Sequence, residues 1–530
     1  MKFSYISSLP FLFLVAPTLG LPLVERRTND TVAGNRNPNR NRVILGNLTT
    51  TACGAAYFLT NQPDGNFVVA ADIGPDGKLV VRRAVHAGGL GLHANPDGGP
   101  DPLVSQSSIK AFASTNMLAT VNAGSNTIAL FSINPSDPTN LHMIGKPVGS
   151  GGEFPVSVAF NKDGSRVCSL NGGAVNGVAC FKVDSARGLI SLANTTRSLS
   201  LNQTTPPMGP ENTVSQVIFT EDGSKLIVGV KGIRPDPGFL AIWNVEQDGS
   251  LSPDFIKVTS RNGGLRAPFG MTNIPGKDAV LVGDPGVGFD LIGQDGKVDV
   301  AVTIDGRIAP GWTSFSPKTG NFYITDVGTS IVTEVNVDAD FKGSIVKRYE
   351  QTKGSAIIDN DIATIGNNDF MYILASNATA INVLQLNSPG EAQAIQTLNL
   401  ADSVKNSELA ISAANLQGMT TIAWQQNSTS IMARIMAILP HCRISDPLVT
   451  ADQQNAFAGT PNQQAMVVMM RQFQNTSCSV THCSDVTAGL DPRDYVRSRG
   501  FADNFDLSRL GDLRRPSKVQ SNPILYKSRV

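Results

Sequence analysis

The chain has 530 residues with 43 basic and 43 acidic side chains, a formal net charge of zero. Charged residues make up only 16 %, so no basic field exists to hold nucleic acid by neutralising phosphates, and no nucleic-acid partner is expected. Fifty glycines fit a turn-rich all-β chain.

The start, MKFSYISSLPFLFLVAPTLG, carries one lysine, an apolar core, and small residues Thr18 and Gly20 before an expected cut. It reads as a secretory signal peptide over residues 1–20, with an apolar core too short to cross a membrane. No other uninterrupted apolar stretch reaches spanning length, so no membrane span is expected. Residues 21–50 read as a leader or linker, in which Arg26 and Arg27 are either a dibasic processing site or a charged pair in a disordered leader. Sequons at Asn29, Asn47, Asn194, Asn202, Asn377, Asn427 and Asn475 agree with secretion, and several fall in predicted loops. A secreted, glycosylated, extracellular or cell-wall protein is the expectation.

From about residue 51 a unit recurs: an apolar run, a tight Asp-Gly or Asn-type turn, a second apolar run, a polar loop and a third strand-like run. Residues 57–79, 159–184, 218–251, 314–338 and 362–386 show it. The first turns sit near Asp64, Asn116, Asp163, Asp222, Gly276, Thr319 and Asn368, at spacings of about 50 residues, which is the size of a four-stranded propeller blade. The turn residues supply the positive φ that short hairpins require, and the flanking runs (KLIVGV, AVLVG, NFYIT, FMYIL) are β-branched and aromatic. Seven units over residues 51–424 predict an all-β, seven-bladed propeller of four-stranded antiparallel blades. A two-sheet sandwich array is the competing architecture, but it has no need of the same turn at the same place in each unit.

The last repeat-like run is MTTIAW, ending at Trp424. Residues 425–530 contain no glutamate, carry ten arginines to two lysines and cluster Gln and Met. They are either an appended, irregular, low-order tail or the product of a gene model running past the true end. Cys168 and Cys180 flank the loop 171–177, and folding that hairpin about Ala174 sets them opposite each other, where a cross-strand disulfide fits. Cys53 is left over, and a bridge to Cys442, Cys478 or Cys483 balances the count. The spacing of those cysteines with His441 and His482 matches no standard zinc pattern, so no metal or other cofactor is implied.

Propeller geometry locates a site. The innermost strand of each blade turns at the hairpin and returns as the second strand, so the start of one and the end of the other meet on the same face. Ends of second strands fall at Asn122, Asn171, Lys231, Asp284, Asp326 and Ser376; starts of inner strands fall at Gln106, Phe154, Ser215, Phe269 and Trp312. The expected binding rim includes Asn122, Asn171, Ser215 and Trp312. Lys231, Asp284 and Asp326 are candidates for acid–base work or for holding a small carboxylate, a lactone or a glycan. Against this, Asn and Asp end strands because their side chains bond nearby backbone. His86 and His93 flank the loop HAGGLGLH and are an alternative acid–base pair, although a solvated loop histidine is the commoner outcome.

The segments TACGAAYFLTN, GNFVVAADIGPDGKL, RAVHAGGLGLH, GPDPLVSQSSIKAF, PVSVAFNKDGSRVCSLNGG and GWTSFSPKTGNFYITDVG resemble the seven-bladed lactonase family. That family includes propeller-type 6-phosphogluconolactonases and 3-carboxy-cis,cis-muconate cyclase, and the likeness extends to fungal secreted glycoproteins that carry the cyclase name, some regarded as cell-wall antigens or adhesins. The resemblance covers about residues 52–424. It implies a His on the inner strand of blade three, an Arg on that of blade four, a Glu ending the next strand and a later Arg. Those positions read Phe154 or Val156, Ser215, Lys231 and Val327. None matches, so no catalytic residue transfers. Two functions follow: a binding glycoprotein with a degenerate site and a cell-wall or extracellular-matrix partner, or an extracellular lactonase or cyclase-like enzyme using other rim residues.

Overall fold

The computed structural model describes residues 42–46, 52–94 and 98–424. The signal peptide, most of the leader, Asn29, Asn47, Asn427, Asn475, the tail and its cysteines lie outside the described residues.

Strand pairing gives seven antiparallel sheets among the described residues, arranged as a seven-bladed propeller. From inside outward, blade II is Ile109–Phe112, Met117–Asn122, Thr127–Asn134 and Asp137–Met143. Blade III is Pro155–Phe160, Arg166–Asn171, Gly177–Asp184 and Gly188–Ser191; blade IV is Val214–Phe219, Lys225–Val230, Phe239–Asn244 and Ile256–Val258. Blade V is Met271–Asn273, Ala279–Asp284, Gly288–Gly293 and Asp299–Thr303. Blade VI is Pro310–Ser316, Asn321–Asp326, Ile331–Val337 and Gly343–Glu350; blade VII is Ile357–Ile365, Asn368–Ala375, Ala380–Ser388 and Glu391–Asn399. Burial falls outward. Ala279–Asp284 and Asn321–Asp326 are buried along their whole length, whereas Gly343–Glu350 is mostly exposed. The second strands are covered on both faces by neighbouring blades, which is why KLIVGV, AVLVGD and NFYITD read as near-continuous apolar runs and not as alternating ones.

Blade I differs from the sequence expectation. Its inner strand is Gln417–Ala423, which pairs antiparallel with Gly54–Leu59; Phe67–Ile73 and Leu79–His86 follow. The turn near Asp64 therefore joins the second and third strands of its blade, where the repeat reading took it as the first hairpin. The closing contact is tight. A Cβ on Gly54 would lie 2.1 Å from the carbonyl oxygen of Ile422, so only glycine fits there. Arg42–Ile44, expected in the leader, adds a fifth strand outside Leu79–His86. Blade I is pinned to blade II by polar contacts: the half-buried pair of Arg83 Nη1 with Asp137 at 2.6 Å, and the buried Tyr57 hydroxyl donating to the Pro138 carbonyl at 2.6 Å.

Cys168 and Cys180 are directly opposite in register, with Cα atoms 4.0 Å apart, and form the expected disulfide. Cys53 is buried; the bridge expected for it falls on residues outside the described ones.

Replacing Cys168 and Cys180 by alanine should lower the unfolding free energy by up to about 3 kcal/mol, the loop-closure value for a 12-residue separation. A denaturant midpoint unchanged by the double substitution under non-reducing conditions would show that the bond contributes nothing. A chain ending at Trp424 should melt within a few degrees of the full chain. One ending at Leu416 leaves the edge of Gly54–Leu59 uncovered and should show no cooperative transition in calorimetry.

Candidate functional site

The second strands end at the residues expected, on the face here called upper, and those residues hold the incoming loop of their own blade. Asp326 accepts from the backbone N–H of Ile308 (2.9 Å), Ala309 (3.0 Å), Gly328 (3.0 Å) and Thr329 (3.1 Å). Asp284 does the same for Arg266 (2.7 Å), Ala267 (3.0 Å) and Gly286 (2.7 Å). Asn122 donates to the Ala87 carbonyl at 2.9 Å, Asn171 to the Ser150 carbonyl at 3.1 Å, and Ser376 to the Ala356 carbonyl at 3.1 Å. All five are buried. A carboxylate that accepts three or four backbone N–H groups has little capacity left for a substrate. These clasps are the capping role that Asn and Asp commonly take at strand ends.

The connection from blade I to the inner strand of blade II enters the channel from above. Residues 101–108 are buried without exception. Gln106 donates its backbone N–H to the Ser215 carbonyl (3.1 Å), and its side chain both donates to and accepts from the Thr313 backbone (2.8 and 3.0 Å). The Ser105 carbonyl accepts from Trp312 Nε1 (3.0 Å) and Gln417 Nε2 (3.1 Å), and the Ser107 carbonyl from the Val158 N–H (2.8 Å). Ser215 and Trp312 thus serve this segment. Asp101, Val104 and Ser107 hold positive φ of 64°, 53° and 66°. Such conformations persist in non-glycine residues only where the surroundings over-determine them, as the contacts to blades I, III, IV and VI do here.

Lys231, expected on an open rim, is 3 % exposed beneath this plug. Its Nζ donates to the carbonyls of Val104 and Val214, each at 2.8 Å, and to Thr213 Oγ1 at 3.2 Å, with the Phe269 ring centroid 4.7 Å away. The Thr213 hydroxyl in turn donates to the Pro210 carbonyl, so all three partners of Nζ act as acceptors. Three acceptors call for three N–H donors, which only the ammonium supplies. Burial pushes Lys231 down to about 7, opposed by the negative charge of Asp101, and burial pushes Asp101 up to about 7, opposed by Lys231. Asp359, which accepts from Gln417 Nε2 and the Gly418 N–H at 2.7 Å each, is raised well above the usual carboxylate range by burial and by Asp101. Asp290 is likewise raised by burial and by neighbouring Asp284.

His93 is outside this cluster, with Nε2 2.8 Å from the Gly99 carbonyl; His86 accepts the Gly88 N–H at 2.8 Å and meets Phe67 edge-on. Sequence reasoning missed Asp101, Asp359 and Gln417. Gln106, expected at the start of an inner strand, precedes that strand, which begins at Ile109, and nothing local marks residues 101–108 as swallowed by the channel. Among the described residues no group of three His, Cys, Asp or Glu side chains is placed to hold a metal ion.

No family model matches the chain, and no curated protein matches it in sequence. Solved structures do match in fold. The chain is similar to the Pseudomonas aeruginosa periplasmic gluconolactonase PpgL at 15 % identity, over 66 % of this chain and 96 % of that one, with a TM-score of 0.49. It is similar also to a protein from Lactobacillus plantarum at 14 % identity, over 70 % and 99 %, with a TM-score of 0.47. At such identities the likeness is one of fold.

The buried carboxyls give the protein an unusual pH dependence. Asp101, Asp290 and Asp359 keep their protons in the native state well above the range where the unfolded chain releases them. Over about pH 5 to 6.5 the native state therefore binds more protons than the unfolded one, and stability falls as pH rises, by at most about 1.4 kcal/mol per pH unit per retained proton. The lowered turn aspartates, Asp184 and Asp222, are already ionised in both states there. Urea unfolding across this range should show the decline, and Asp359→Asn should make it shallower. An identical slope in the variant would show that Asp359 is ionised in the native protein.

Proposed function

We propose that this protein is a secreted glycoprotein that binds a ligand or a cell-wall or matrix partner and does not turn over a lactone, on a lactonase-type propeller whose upper face is closed by its own chain. The plug at residues 101–108 carries this reading: the side chains that sequence reasoning offered for chemistry are engaged by it or by the adjoining loops. Lactonising a muconate requires cations on its carboxylates and a proton donor at the forming carbanion, each contributing about 10²–10⁴-fold when well placed. Lys231 is covered by carbonyl groups, and Asp284 and Asp326 are covered by backbone N–H groups. Support for an extracellular setting comes from the Cys168–Cys180 disulfide and from Asn194, Asn202 and Asn377, which are exposed in loops. The apolar amino-terminal stretch supports it independently.

Purified glycosylated protein offered glucono-δ-lactone and 3-carboxy-cis,cis-muconate should show no conversion above the uncatalysed rate. Robust conversion that is lost in Lys231→Ala would replace this reading by that of an extracellular lactonase or cyclase-like enzyme with non-standard residues. Peptide mapping should find glycan on Asn194, Asn202 or Asn377. Their complete lack of modification in protein recovered from the natural host would remove the secretory part.

A further inference from the structure

The channel is not filled along its whole length. Below the plug lies a well of about 380 Å³, a volume suited to a small organic molecule. Gln106 and Ser107 of the plug close its upper end, and the inner strands of the blades form its walls. Its lining continues to Phe112, Asn273 and Phe315, next to the first hairpin turns, so it opens on the face opposite the one where ligands were expected.

The chemistry of this well is asymmetric. Phe112, Phe160, Phe219 and Phe315, from four blades, make much of the wall apolar, and Phe112 stacks on Phe160 at 5.4 Å. Most of its polar groups are matched by neighbours: the hydroxyls of Thr272 and Thr313 lie 2.7 Å apart, and Asp361 accepts from the Thr421 N–H at 2.8 Å. Lys110 is one exception. It lines the well half-buried, and its ammonium has no hydrogen-bond or ion-pair partner among the described residues. Two further lining residues, 3 % and 7 % exposed, carry buried atoms without partners, Asn360 Oδ1 and Ser314 Oγ. Buried polar groups are rarely left so. An unmatched cation in an aromatic-walled well calls for a ligand with one negative charge and an apolar body. A second charge is disfavoured, because the carboxylate of Asp361 lines the same well.

We propose that the lower well is a binding site for a small organic monoanion, a carboxylate on an aromatic or aliphatic body, with Lys110 as its counter-ion. This goes beyond the binding reading above and depends neither on secretion nor on the inactivity of the upper face.

Isothermal titration of the full chain with 3-phenylpropionate as the probe tests it. One saturable site is expected, weakened about tenfold or more in Lys110→Met, the loss typical of a charge-assisted contact. The neutral amide of the same probe should bind the unaltered protein as weakly as the acid binds the variant. Absence of saturable binding by the acid, or equal binding of the acid by both proteins, overturns the proposal. If Lys110→Met does not fold, the acid-to-amide comparison on unaltered protein reads the same contact, and equal affinities overturn it. Either failure leaves the expected lack of lactone turnover untouched.

Discussion

Seven inner strands surround the axis of this molecule, and each has one edge with no neighbouring strand. Backbone N–H and C=O groups along such an edge must find partners elsewhere. The chain supplies them from within. Its own segment 101–108 is threaded between the edges, and side chains from adjacent blades complete the pairing: Thr420 accepts from the Ala111 N–H at 3.1 Å, Ser157 from that of Val217 at 3.2 Å, and Gln216 from that of Met271. Residues that a catalytic reading would turn toward substrate are therefore the ones that complete the scaffold. The well below the plug is the stretch where this internal supply runs out.

The plug also explains why charge is buried so deeply at the upper mouth. Lys231 lies among oxygen acceptors because the segment turns its backbone toward blade IV, and its ammonium is met by the carbonyls of Val104 and Val214 and the Thr213 hydroxyl. Removing an acceptor from such an arrangement leaves the charge less compensated in a low-dielectric interior. The positive φ at Asp101, Val104 and Ser107 belongs to the same compromise between threading a chain through a narrow space and satisfying its polar groups.

Much of the fold was legible because the signals were local. The hairpin turns at Asn116, Asp163 and Asp222 fall between the first two strands of blades II, III and IV, and the Cys168–Cys180 pair could be placed by folding one hairpin on paper. The ends of the second strands were legible for the same reason. What those side chains do was not, since Asp326 on a substrate and Asp326 on four backbone N–H groups have the same sequence. Blade I was read out of phase because its inner strand is supplied from residues 417–423, and no periodicity within residues 52–86 announces a partner so distant. The role of residues 101–108 was invisible for a related reason: a connection that crosses the axis looks like one that stays on the surface.

The closure of blade I also orders events in time. Gly54–Leu59 and its partner Gln417–Ala423 lie about 360 residues apart, so at translation rates of about 5–20 residues per second the first strand waits roughly 20 to 70 seconds for its mate. Blades II to VII bring their four strands in sequence and are free to assemble as they emerge. Blade I has no such option, and its apolar edge stays open as a template for any other strand it meets. The ring is thus completed last at the place where synthesis began, and the period of greatest exposure to misassembly is set by the length of the chain in between.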